Sequence, residues 1–136
     1  MSADAAVWLS IADGDIDAVR RSLAPDPEPN LAVAAYHCQQ AAEKLVKALL
    51  VHAGLAYPRG SGGHDLGRLV EALPAEHPLR PSLAGLISVT PWATAFRYPA
   101  DDPLTAEPMP TTSHVESILE ILVTLRGRIA VILQAN

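Results

Sequence analysis

At 136 residues the chain has room for one domain and one core, so a single helical domain over residues 1–136 is expected. Apolar residues make up 49% of it and aromatics only 4%, with Ala, Leu, Val and Ile dominant, a mix that favours packed helices over a β sandwich. A formal net charge of −5 argues against a generally basic coat for nucleic acid, while leaving room for a local basic pocket.

The single cysteine, Cys38, excludes an intrachain disulfide framework and a cysteine metal cluster. Its apolar neighbours suggest a small buried hydrophobe. No run approaches the roughly 18–20 consecutive apolar residues of a membrane span. The opening "MSADAAVWLS" lacks the charged and apolar regions of a signal peptide. A cytoplasmic protein with no membrane association is expected.

Twelve prolines divide the chain, and residues 1–24, 30–57, 59–73 and 111–136 contain none. Proline breaks helix interiors and sits at their edges, so the proline clusters mark connections. In the first segment Val7, Leu9, Ile11, Ile16, Val19 and Leu23 are candidate core positions, with a bend expected near Asp13–Gly14. Asn30 is placed to cap a second helix that runs to about Ala53 and stops at Gly54. Asp65 or His64 opens a short third helix, "DLGRLVEAL", ended by Pro74. A fourth helical region covers roughly residues 79–97, with a fresh start or kink at Thr90–Pro91. The last helix begins near Ser113 and Glu116, which have capping-box spacing, and Ile118, Leu119, Leu122, Leu125, Ile129 and Ile132 keep a helical period. Nothing reads as a strand. The expected fold is an all-α, up-and-down bundle of four to five helices.

The second helix poses the chemical question. "YHCQQAAEKLVKALLVHAG" is apolar over most of its circumference, yet Gln40, Glu43, Lys44 and Lys47 fall on one stripe at i, i+3, i+4 and i+7. The Glu43–Lys47 pair alone is worth about 0.2–0.5 kcal/mol on an exposed helix. The stripe is followed by "RGSGGHDLGRL", a pliant loop that sets His64 at a helix start, where backbone N–H groups favour an anion. Further on, "FRYP" places Arg97 at the end of an apolar helix. His37, His52, His77 and His114 show no ligand spacing, no zinc pattern is present, and "GSGG" lacks the context of a phosphate loop, so no cofactor is expected.

Taken in order, "QQAAEKLVKALL", "HDL" and "FRYP", followed by a long closing helix, resemble the HEPN family, the higher eukaryotes and prokaryotes nucleotide-binding domain. The resemblance implies a helical bundle that is often dimeric. It also implies one of two activities: RNA cleavage by toxin or defence members, or non-catalytic binding of nucleotide or RNA. Many bacterial members are encoded beside a small nucleotidyltransferase, which makes that class of protein an expected partner.

Toxin members carry an Arg, four to six residues and then a His near the last long helix. After Arg97 the first histidine here is His114, far too distant, and the Arg59–His64 spacing lies in the loop before helix three, where it reads as coincidence. The expectation is therefore a non-catalytic module that binds nucleotide, RNA or a protein partner. The alternatives are an active ribonuclease toxin and a purely structural bundle. Gln40, Glu43, Lys44, Lys47, His64 and Arg97 are the candidate ligand-binding residues. Glu43 is expected to pair with Arg97 or, in competition, with Lys47, with His64 at the rim. A homodimer is expected because apolar residues on the last helix, including Ile121, Val123, Val131 and Ile132, spread beyond one face.

Overall fold

The computed structural model describes residues 3–96, 102, 104 and 106–135, and among these every regular element is helical. The α-helices are α1 (Ala3–Ser22), α2 (Leu31–His52), α3 (Leu66–Glu71), α4 (Arg80–Ala84) and α5 (Thr112–Gln134). Two 3-10 segments, Gly60–His64 and Ile87–Ala93, join them. The chain is thus an all-α bundle, and among the described residues no helix is long and apolar enough to cross a membrane.

α2 is the central element and packs against α1, α3, α5 and the Ile87–Ala93 segment. It is wrapped on nearly every side, with its buried residues running from Ala34 to Leu50. Ala34, Ala35, Ala41, Ala42 and Ala48 are fully buried, and such small side chains let neighbouring helices approach closely. Cys38 lies in the same core, where burial pushes its thiol pKa up to about 12 and keeps it inert.

Local signals start and stop the helices. The Asn30 side chain accepts the Val33 N–H at 3.1 Å, and Gly54, at φ +70°, takes the left-handed conformation that ends α2. Asp65 caps α3 by accepting the Arg68 N–H at 3.3 Å. The cap of α5 differs from the expected Ser113: Thr111 accepts the His114 N–H at 3.0 Å. Thr111 follows Pro110 with extended backbone, as a cap requires, whereas Ser113 is already inside the first turn. Thr90–Pro91 does not open a helix either. Both residues lie within the 3-10 segment, and the fourth region instead divides around Gly85–Leu86. The Thr90 hydroxyl is buried with no partner among the described residues.

α1 shows no break at Gly14. Its buried stripe is Ala5, Leu9, Ala12, Ile16 and Val19, a clean helical repeat. Val7 and Ile11, expected in the core, are 56% and 43% exposed. Val7 lies two residues from both Ala5 and Leu9, about 160° off them around the helix, and Ile11 lies about 100° from Ala12, so both fall off the buried stripe. On α5 the buried set is Val115, Ile118, Leu122, Leu125, Ile129 and Leu133, while Leu119 and Ile132 are half-buried. A bidentate pair fixes α1 to α5, with Arg126 Nε and Nη2 donating to the two carboxylate oxygens of Asp13 at 2.7 and 2.9 Å.

This division of α5 has a measurable consequence. Leu122 is fully buried, whereas Val131 is 69% exposed. In denaturant unfolding, Leu122→Ala is expected to cost about 2–5 kcal/mol and Val131→Ala to stay within about 0.5 kcal/mol. Equal costs would mean that the packing of α5 is misassigned.

Candidate functional site

The polar stripe of α2 faces the Gly60–His64 segment, and its centre is a buried carboxylate. Glu43 is only 1% exposed and Gln39, one turn earlier, is fully buried. An ionised carboxylate at such a position needs partners for both oxygens. Oε1 accepts from Gln39 Nε2 at 3.3 Å and from His64 Nδ1 at 2.8 Å. Oε2 accepts from Lys47 Nζ at 3.2 Å, with Lys44 Nζ at 3.5 Å.

The network extends along the helix and across to the loop. Gln39 Nε2 also donates to the His64 carbonyl at 3.4 Å, so one amide ties α2 to the loop backbone. Gln40 Nε2 donates to Gln39 Oε1 at 2.6 Å, and Lys44 Nζ donates to Gln40 Oε1. Burial alone would raise the pKa of Glu43. The His64 hydrogen bond and the charges of Lys44 and Lys47 more than offset it and hold the carboxyl below its ordinary value. Glu43 is therefore ionised at neutral pH, and His64 Nδ1 donates to it. The other ring nitrogen, Nε2, is left outside this pairing on a side chain that is 60% exposed.

A glycine sits where the loop meets the stripe. A Cβ on Gly63 would stand 3.1 Å from the Pro58 carbonyl oxygen, so the loop backbone would have to give by a few tenths of an ångström, and 3.7 Å from Lys47 Nζ, an ordinary contact. Lys47 Nζ in turn lies 5.2 Å from the centre of the Trp8 ring and 5.8 Å from that of Tyr57. The Arg59 guanidinium stands 4.9 Å from the centre of the Tyr57 ring. Trp8, Tyr57 and Arg59 also line an open groove of about 410 Å³ between α1 and the chain following α2.

Among the expected residues, Gln40, Glu43, Lys44, Lys47 and His64 are brought together. His64 is a direct partner of Glu43 rather than a rim residue, and Lys47 is a direct partner as well. Arg97, and with it the expected Glu43–Arg97 pair, lies outside the described residues. Gln39, Trp8 and Tyr57 were missed. Gln39 is four residues before Glu43, a spacing that puts the two on one face. Trp8 is the lone aromatic among the small residues of α1. Arg59, set aside as half of a chance motif, belongs to the surroundings of the site through Tyr57. Among the described residues no three His, Cys, Asp or Glu side chains converge to hold a metal ion.

A buried charged network on the central helix, closed by a histidine loop, defines a helical bundle with a built polar site. The sequence matches the HEPN domain family over residues 5–127, so the chain belongs to that family. Searches of the curated proteins and of the solved structures gave no match.

The lowered pKa of Glu43 links this site to stability. A carboxyl whose folded pKa lies below its ordinary value of 4.5 stabilises the fold above that pH, and the contribution fades as pH falls through the folded value. Glu43→Gln is expected to cost roughly 3 kcal/mol at neutral pH, the low end for a broken buried pair because both lysines keep an edge to solvent. Urea unfolding from pH 7 down to pH 3 is expected to show this gap narrowing below about pH 4.5. A gap that stays constant would mean that Glu43 is not held ionised by its partners.

Proposed function

We propose that the chain is a binding module for a phosphate-bearing ligand, a nucleotide or an RNA end, and that it acts as a homodimer rather than as a nuclease. The observation that carries this reading is an imbalance of charge. Lys44 and Lys47 flank a single buried carboxylate, and Arg59 stands over the neighbouring Tyr57 ring, in a protein whose overall charge is −5. Glu43 holds the largely buried lysines in place, and Arg59 adds an exposed cation beside the aromatic rings. Such a surface suits an anion.

The same geometry favours binding over cleavage. Metal-independent RNA cleavage needs a base for the 2′-hydroxyl and an acid for the leaving oxygen. Both oxygens of Glu43 are occupied, which leaves it no role in proton exchange with a substrate. Each chain then offers one histidine, His64, for the two roles. The ribonuclease reading has one observation in its favour: a histidine oriented by a buried carboxylate is also how a general base is held. A small nucleotidyltransferase suits the role of protein partner, since it handles the same class of ligand, and family resemblance is the support for it.

Calorimetric titration with ATP is expected to show binding that weakens with added salt. It should also weaken by about tenfold in Arg59→Ala, as loss of one charge-assisted contact predicts. Absence of binding at millimolar ATP would refute the reading. Incubation with single-stranded RNA in the absence of metal is expected to leave the RNA intact. Cleavage that disappears in both His64→Ala and Arg97→Ala would establish the nuclease instead.

The homodimer reading is supported by apolar residues that the bundle leaves uncovered, among them Val123 and Val131 on α5, 40% and 69% exposed. Light scattering is expected to give twice the 14.4 kDa chain mass. Val131→Asp should shift the protein toward the monomer. A monomer at micromolar concentration in the unmodified protein would contradict the claim.

A further inference from the structure

α4 packs on α3, and between α4 and α5 lies an open groove of about 510 Å³. On the α4 side it is lined by small residues, Ser82 and Gly85 among them, which leave the facing surface of α5 uncovered. On the α5 side stand Glu120, Ile121, Thr124 and Arg128. Glu120, Thr124 and Arg128 are exposed and four residues apart, so they form one row along the helix. An acid thus stands one turn before Thr124 and a base one turn after it. The two charges are about 12 Å apart along the helix axis. Neither takes part in an ion pair among the described residues.

Rows of residues four apart are the ridges by which helices pack, and two such ridges lie side by side where two helices cross. If both ridges are copies of this one row, running in opposite directions about Thr124, each Glu120 comes beside Arg128 of the partner subunit. Two-fold symmetry makes both contacts at once. From this self-complementary placement we infer that α5 docks on α5 of a second copy of this chain, antiparallel, with the Glu120–Thr124–Arg128 row at the centre of the contact. The inference rests on the homodimer reading and names the face that the reading leaves open. Val131, 69% exposed, lies about 20° from Thr124 around the helix and belongs to this face. Val123 lies about 100° away and falls outside it. Ile121, half-buried on the groove side, adds apolar surface for the contact to cover.

The charges select the occupant. A parallel pairing would set acid against acid and base against base, and such like-charge contacts are costly. A partner of unrelated sequence would need a base and an acid at this same spacing, whereas a second copy already carries them.

Sedimentation equilibrium on the full chain tests the face by exchanging its charges. Glu120→Arg and Arg128→Glu each remove both symmetric pairs and oppose like charges, so each is expected to weaken association about tenfold. Both positions are exposed, which keeps the fold out of the comparison. An equimolar mixture of the two variants is expected to recover the affinity of the unmodified protein, because a row with two bases then meets a row with two acids. A chain carrying both substitutions is expected to recover as well. Single variants that associate as tightly as the unmodified protein would overturn this face and leave the homodimer standing. Weakened variants that fail to recover on mixing would show that the two charges do not meet across the axis, and would also overturn it. A monomer in the unmodified protein would remove the homodimer and this face together.

Discussion

The structure turns on one cost, that of holding an ionised carboxylate in the most buried helix of the bundle. Glu43 sits at 1% exposure on a helix packed against four other elements. Removing a carboxylate from water costs several kcal/mol even after relaxation, and only close, well-formed partners offset it. Around Glu43 that requirement positions Gln39, Lys44, Lys47 and His64 together. Three of these lie within about one turn of it on the same helix, and one comes from 21 residues away. The distant partner matters most for architecture. By engaging His64, Glu43 sets where the Gly60–His64 segment lies, and so where α3 begins.

What the partners do for Glu43 also shapes what they present outward. Lys47 is held between the carboxylate and two aromatic rings, so its charge is fixed in place instead of sampling solvent. Lys44 is tied back by Gln40 and Glu43. An anion bound here, as proposed, would meet ammonium groups already in position, which lowers the entropic cost of binding. A fully solvated stripe of the same residues would lack that advantage, since exposed lysine pairs are worth little. On the proposed reading, stability and binding would draw on the same contacts.

Much of this was legible in the sequence, for reasons that can be traced. The polar stripe stood out because α2 is otherwise apolar, and the helix period placed Gln40, Glu43, Lys44 and Lys47 on one face. "HDL" following a glycine-rich loop marked the start of α3, and Asp65 caps it. The tertiary partner of Glu43 was less legible. Sequence offered Arg97, His64 and Lys47 as cations, and nothing in local spacing says which loop folds back onto a helix. That the His64 loop is the one, with Gly63 close against Pro58, only the folded chain reveals. Val7 and Ile11 were misplaced for a simpler reason: an apolar residue on a helix suggests the core, and only the arrangement of neighbouring helices shows which arc is covered. The cap of α5 moved from Ser113 to Thr111 because Pro110 sets the extended entry, an effect that a capping-box pattern does not register.

The central claim is that ionised Glu43 holds the His64 ring by its Nδ1 proton, and the nitrogen chemical shifts of the His64 imidazole test it most directly. In the unmodified protein at neutral pH, Nδ1 is predicted to carry a proton, as the 2.8 Å contact to Glu43 Oε1 requires. In Glu43→Gln that signature is predicted to give way to the averaged tautomers of a free imidazole. A ring protonated at Nε2 with a bare Nδ1 in the unmodified protein, or shifts that do not respond to Glu43→Gln, would contradict the account.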